Sequence, residues 1–190
     1  MDDKGFEMPP GQKPSLRLYS LSIFGKPKNI DKENYKVKIT GEVEEEKVFS
    51  LKEILELPHV EKQFDIHCVD GWSYLGPVFE GIYPYELFKQ IKIKDDAKFV
   101  LIKSIEGYTT DLTVDFLLSR NVILAFRVDG KELLSENGFP LRLVVNGRYA
   151  YKDAKWIVEF EVLSEDKRGY WEERGYSIEA DIYKNQRRDW

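Results

Sequence analysis

No stretch between Tyr35 and Leu163 sustains a helical apolar period for more than about two turns, while many short stretches alternate apolar with polar residues and end at a turn dipeptide. Tyr35, Val37 and Ile39 alternate with Lys36, Lys38 and Thr40 and stop at Gly41. Val48-Phe49 is a short strand, and the spacing predicts further strands over Phe64–Val69, Phe99–Ser104, Tyr108–Leu112, Val122–Val128, Leu141–Val145 and Lys155–Leu163. In the last of these, Trp156, Val158, Phe160 and Val162 point one way. Asp129-Gly130 and Asn146-Gly147 are hairpin-type turns. Helices fit only in short pieces. Ser50 with Glu53 makes a capping box for Leu51–Leu57, Pro84 opens a helix running to about Ile91, and Thr113 caps Val114–Arg120. Residues 74–81 read as loop with a short strand, and 169–190 show no period. Short helices among many strands define an α+β fold with mixed sheets.

A length of 190 residues suits one domain, 1–190, whose first 14 residues, rich in Pro, Gly and Lys, form an extended arm. An apolar fraction of 42% supports a packed core. A net charge of −5 gives no electrostatic case for nucleic acid. No apolar run is long enough to cross a membrane, and the start shows neither a signal-like apolar run nor twin arginines, so a cytoplasmic protein is expected. One cysteine excludes an internal disulfide and a multi-cysteine zinc site.

That cysteine lies in Phe64-Asp65-Ile66-His67-Cys68-Val69-Asp70-Gly71-Trp72-Ser73, at a strand end beside a turn. Three readings are open for Cys68. It is a small buried hydrophobe. It is a nucleophile activated by histidine, for which His67 is badly placed, since adjacent strand side chains point to opposite faces. Or it is a metal thiolate whose partner ligands come from an organic cofactor, since His59, His67 and Cys68 are too few to build a site alone.

The stretch Asp65-Ile66-His67-Cys68-Val69-Asp70-Gly71-Trp72-Ser73 resembles the cysteine motif of the sulfite oxidase-like molybdopterin oxidoreductases, and Glu136-Asn137-Gly138-Phe139-Pro140-Leu141-Arg142 through Asp153-Ala154-Lys155-Trp156 resembles a second motif of theirs. Pro9-Pro10-Gly11-Gln12, Phe24-Gly25-Lys26-Pro27 and Gly169-Tyr170-Trp171-Glu172-Glu173-Arg174-Gly175-Tyr176 look like the start and end of the short prokaryotic members. The resemblance implies the sulfite oxidase-type molybdopterin-binding fold. It makes Cys68 the ligand of molybdenum, or of tungsten, in a molybdopterin without an appended nucleotide. It assigns Arg142 and Lys155 to the pterin phosphate, a role that suits a guanidinium fork and an ammonium. Asn137 stands where a histidine is common in larger relatives and can still hydrogen-bond the cofactor. Ser22 and Phe24 fall in the stretch that covers the pterin, and His67 is a further cofactor contact. Arg148 and Lys152 are secondary cations, Thr109, Thr110 and Asp111 line up near a cofactor-contacting strand, and Tyr149 and Tyr151 are placed at the substrate mouth.

One departure bears on substrate. Sulfite oxidases carry an arginine where this chain has Leu21, which points away from sulfite. The implied activity is oxygen-atom transfer on a small-molecule substrate, with electrons exchanged with a separate partner because no second redox centre is visible. The rival is a binding or carrier module that holds the cofactor without turnover. Both predict pterin in the purified protein; only the first predicts a metal that changes oxidation state with an oxo donor or acceptor.

Overall fold

The fold is described from a computed structural model over residues 8–189. In chain order the elements are β1 (Lys13–Ser15), β2 (Lys36–Gly41), β3 (Lys47–Ser50), α1 (Leu51–Leu55), β4 (Val60–Gln63), β5 (Ile66–His67), β6 (Trp72–Tyr74), β7 (Val78–Ile82) and α2 (Tyr85–Phe88). They continue with β8 (Phe99–Ser104), β9 (Thr109–Thr113), α3 (Val114–Leu117), β10 (Val122–Val128), β11 (Lys131–Glu132), β12 (Arg142–Val145) and β13 (Ile157–Leu163). Single 3₁₀ turns occupy Ser135–Asn137, Ala150–Lys152 and Glu172–Arg174.

Three sheets result. One runs β3-β2-β13-β8-β9, with β13 parallel to β2 and the other pairs antiparallel. The second runs β11-β10-β7-β4, with β12 also on β10. The third is small: β1 lies parallel to β6, which pairs antiparallel with β5. The main core joins the first two sheets through side chains such as Val37, Ile39, Ile102, Leu124, Leu143 and Phe160, all fully buried. A second cluster of Phe64, Ile66, Phe79, Ile123 and Val144 packs the small sheet against the other face of the second. β10 is therefore buried on both sides, as its unbroken apolar run requires.

The helices are shorter than expected, but their starts are as read. Ser50 Oγ accepts from the Glu53 N–H while Glu53 Oε2 accepts from the Ser50 N–H, closing the capping box of α1. Thr113 Oγ1 accepts from the Phe116 N–H at the start of α3. Beyond α2 the chain continues in three-residue turns, with Gln90 N–H to Leu87 O and Ile91 N–H to Phe88 O, so the expected helix to Ile91 tightens after one turn. No helix of the described residues is long and apolar enough to cross a membrane.

Three expectations are corrected. The strand over Phe64–Val69 keeps only Ile66–His67, because Asp65 Oδ1 leaves the ladder to accept the Gly76 N–H and Cys68 enters a turn. The strand from Lys155 begins at Ile157: Trp156 adopts φ 54°, and a register shift between Ile157 and Glu159 buries Ile157 in place of Val158. The arm is not merely draped. Its residues 1–7 lie outside the described region, but Gln12 is buried and Lys13–Ser15 pair with Trp72–Tyr74.

A cavity at the meeting of three sheets

Cys68 follows β5 and begins a tight turn. Its N–H donates to Trp72 O at 2.8 Å, and the Gly71 N–H donates back to Cys68 O at 3.0 Å. Gly71 is at φ +99°, and a Cβ there would come within 3.0 Å of Gly11 O, so the turn needs glycine for conformation and for space. The thiol is 8% exposed. Burial pushes it up to about 11, against the opposing pull of the Asp70 backbone N–H and the Arg187 charge. A bare thiol here stays protonated at neutral pH; only a strong electrophile such as a metal would hold it as thiolate.

A cavity of about 370 Å³ opens beside it. One wall is the Leu18–Ile23 segment, another is Cys68–Asp70 with Trp72, and the third comes from Asn137, Arg142 and the Ala150–Lys155 loop. Tyr108, Tyr151, Trp171 and Tyr176 close it. Ser22, Cys68, Asn137, Arg142 and Lys155, drawn from three motifs, thus share one cavity. Phe24 and His67 are not among its lining. Phe24 is half exposed and meets the Tyr170 ring edge-on at 5.2 Å. His67 turns to the other side of β5, where its Nδ1 lies 2.7 Å from Ser73 Oγ.

The cations are held in unequal ways. Arg142 is buried; its Nη1 donates to Asn137 O at 3.3 Å, and its Nη2 lies 3.6 Å from Asp153 Oδ2. Its Nε is buried without a partner. Burial pushes Asp153 up to about 7 despite Arg142 and the Val145 N–H it accepts, which makes it a weak counter-ion for Arg142. Lys155 Nζ donates to Ser20 Oγ at 2.9 Å, Leu21 O at 2.8 Å and Glu136 O at 3.3 Å, all uncharged acceptors. Burial and the nearby Arg142 charge pull it down to about 8. Two desolvated cations, one orphaned guanidinium N–H and little compensating charge form a pocket that an anionic phosphate would complete. The residues present therefore fit the pterin phosphate.

The secondary candidates resolve differently. Lys152 is fully buried away from the cavity, with Nζ 3.2 Å from Asp111 Oδ1 and 2.6 Å from Glu172 Oε1; Thr110 Oγ1 donates to the same Glu172 oxygen at 2.6 Å. This network ties the 169–175 segment to β9, and it removes Lys152, Thr110 and Asp111 from the cofactor wall. Arg148 pairs with Asp181 at 3.3 Å and Glu179 at 3.5 Å. Tyr151 lines the cavity; Tyr149 does not. Glu106, which no motif singled out, also lines it. Burial pushes its carboxyl up to about 7, its own backbone N–H and Lys155 opposing.

The fold aligns with the sulfane dehydrogenase SoxCD from Paracoccus pantotrophus at a TM-score of 0.67 and 18% identity, over 79% of this chain and 45% of that one. A family model described as the oxidoreductase molybdopterin binding domain matches residues 24–171. The uncharacterized oxidoreductase YuiH of Bacillus subtilis is 32% identical over 188 residues, covering 99% of this chain and 95% of its own. The protein-methionine-sulfoxide reductase catalytic subunit MsrP of Campylobacter jejuni is 30% identical over 161 residues, covering 76% and 54%. The chain thus spans about half the length of that relative. Fold and matched residues together define a sulfite oxidase-type molybdopterin-binding protein. The chain belongs to the oxidoreductase molybdopterin-binding domain family and is a molybdenum cofactor-dependent oxidoreductase of the sulfite oxidase superfamily.

Proposed function

We propose that this oxidoreductase performs oxygen-atom transfer on a small, uncharged oxide, with Cys68 as the protein's ligand to the metal. The observation that carries the reading is the convergence of Cys68, Arg142 and Lys155 on one cavity. Among the described residues no group of three or more His, Cys, Asp or Glu side chains could hold a metal, so a metal at Cys68 would take its other ligands from the cofactor. When bound, the molybdenum cofactor supplies two-electron oxygen-atom chemistry. Arg142 and Lys155 would hold the pterin phosphate, Lys155 giving up one of its three hydrogen bonds, to Ser20 Oγ, Leu21 O and Glu136 O, to donate to it. We take the cofactor to be a molybdopterin without an appended nucleotide, which a cavity of about 370 Å³ is large enough to receive. Tungsten is an alternative metal for the same ligand set.

The substrate reading rests on charge. Among the described residues lining the cavity, the cations are Arg142 and Lys155, both assigned to the cofactor, which leaves no cation in the lining for an anionic substrate. Leu21, 65% exposed, and the half-exposed Tyr19 and Ile23 make an apolar lip. Such a lip favours a neutral oxide flanked by carbon over a dianion such as sulfite. A methionine sulfoxide has this character, and it is the substrate class in the names of the MsrP relatives. Electrons would come from a separate carrier.

The test is metal and pterin content of protein made in a host that synthesises the cofactor, beside Cys68→Ser, followed by turnover on methionine sulfoxide and on sulfite. Stoichiometric metal and pterin, loss of the metal signal in Cys68→Ser, and preference for the sulfoxide are expected. A Cys68→Ser protein with an unchanged metal spectrum, or sulfite turnover at ordinary enzyme rates, refutes the ligand or the substrate assignment respectively.

A further inference from the structure

Two segments outside the family-matched residues 24–171 meet behind the Cys68 turn. From one, Gln12 Nε2 donates to Cys68 O at 3.0 Å, and its Oε1 accepts from Ser73 Oγ at 3.0 Å. Because the Ser73 hydroxyl proton is spent on Gln12, the 2.7 Å contact with His67 must run from the Nδ1–H of His67 to Ser73 Oγ. The relay His67, Ser73, Gln12 thus fixes the amide orientation of Gln12 and ends on the carbonyl of Cys68. From the other segment, Arg187 Nη1 donates to Val69 O and Nη2 to Gly11 O at 3.4 Å. Arg187 Nε and the Tyr149 hydroxyl both donate to Asn185 Oδ1, at 2.8 and 2.9 Å, which anchors the guanidinium below the turn. The fit is close. A Cβ on Gly11, at φ +71°, would lie 3.0 Å from Arg187 Nη2, and the Lys13 N–H donates to Gly71 O at 2.9 Å.

We propose that Gln12 and Arg187 are positioning residues that clamp the carbonyls of Cys68 and Val69 and so set the place of the Cys68 sulfur relative to the cofactor. The inference rests on the reading of Cys68 as metal ligand. The clamp acts on the turn itself: two successive carbonyls are held, one by an amide and one by a charged donor, and neither donor lines the cavity. Arg187 adds fixed positive charge near the sulfur, which favours electron density on it and on a metal it holds. Removing the clamp leaves the fold's main core untouched, since neither residue belongs to it.

Because Cys68 is the only thiol, its alkylation by iodoacetamide in the full chain purified without cofactor, followed against pH so that rates are compared per thiolate, reports how the turn presents the sulfur. Gln12→Leu and Arg187→Gln are each expected to raise the alkylation rate per thiolate about tenfold, the factor that losing one such hydrogen bond gives a local opening equilibrium. Arg187→Lys should restore most of the protection, and Lys184→Gln, on an exposed cation of the same segment, should leave the rate unchanged. In the loaded protein, Arg187→Gln should shift the paramagnetic resonance signal of the one-electron-reduced metal and lower its midpoint potential. Wild-type alkylation rates in both Gln12→Leu and Arg187→Gln, or an equal rise in Lys184→Gln, overturn the clamp. Should Arg187→Gln fail to fold, Gln12→Leu decides alone. An unchanged metal signal in Cys68→Ser overturns instead the ligand reading beneath it, while the alkylation arm still decides whether the clamp exists.

Discussion

Replacing Lys152 with methionine separates a structural cation from a cofactor-binding one. Lys152 is 0% exposed, and its ammonium contacts Asp111 O, Asp111 Oδ1 and Glu172 Oε1 at 3.0, 3.2 and 2.6 Å. Methionine is unbranched and close to it in volume but leaves two carboxylates buried without that cation. Breaking a buried pair from one side costs about 3–5 kcal/mol. At the sensitivity of a chain this size, that lowers Tm by roughly 6–20 °C. The loss depends on pH. Burial already holds the Glu172 carboxyl above its ordinary value against the pull of Lys152, and removing the lysine raises it further. An acid whose folded pKa is raised stabilises fully below its unfolded value and loses that contribution as pH climbs through the folded one. The deficit of Lys152→Met should therefore be large at neutral pH and shrink toward pH about 4, where Glu172 protonates at little cost. Thermal unfolding followed by circular dichroism across that range, with metal content measured on the same samples, tests this. A Tm unchanged at neutral pH together with loss of pterin would refute the reasoning, for it would show Lys152 bound to the phosphate after all.

Lys155→Met should behave in the opposite way, losing roughly tenfold or more of the co-purified pterin and metal, as removal of a charged hydrogen-bond donor predicts, with little change in Tm. In the cofactor-free chain, sulfate, which is dianionic throughout this range, should bind most tightly below pH 7 and weaken as pH rises through about 7 to 8, because Glu106 gains charge near 7 and Lys155 loses it near 8; calorimetric titration at several pH values checks the direction, and tighter binding at high pH would count against both assignments. Leu21→Arg, which restores a cation at the lip, should make sulfate an inhibitor of sulfoxide turnover with about tenfold better affinity than in the parent, read from inhibition constants.

The strands that could be read from the sequence are those whose one face is buried and whose other is wet. Val37 and Ile39 are fully buried between exposed lysines, so period two is written into the residues. β4, Val-Glu-Lys-Gln, has a single apolar residue, because it is an edge strand held by its backbone pairing with β7, and nothing local announces it. The break before β13 was hidden for another reason: Trp156 is buried as the alternation demands, but its indole reaches Ser135 O at 2.9 Å from a left-handed backbone, and that conformation follows from a contact 21 residues away. The same division holds at the site. Cys68, Arg142 and Lys155 sit in motifs with their own spacing. Gln12 and Arg187 act on the Cys68 turn across 56 and 118 residues of chain, respectively; Gln12 ends a stretch that carries the family resemblance but no role, and no pattern near Arg187 marks it.

The way the cavity is assembled explains why so few of its polar groups come from one place. Cys68 leaves the small sheet, Arg142 begins β12 in the second, Glu106 and Tyr108 lie in the turn between β8 and β9 of the first, and Lys155 sits just before β13. Lys155 then reaches across to Leu21 and Ser20, so the same ammonium that faces the phosphate pocket also pins the segment over the mouth. Binding of an anion and placement of the lip are thereby coupled through one side chain. Phosphate drawing Lys155 away would release Leu21 O, and a segment held by Leu21 O would leave Lys155 less free to meet phosphate. Each hydrogen bond in that exchange is replaced by another, so the exchange costs little. On the proposed reading, the lip that would favour a neutral substrate is therefore set by the cofactor as much as by the residues that compose it.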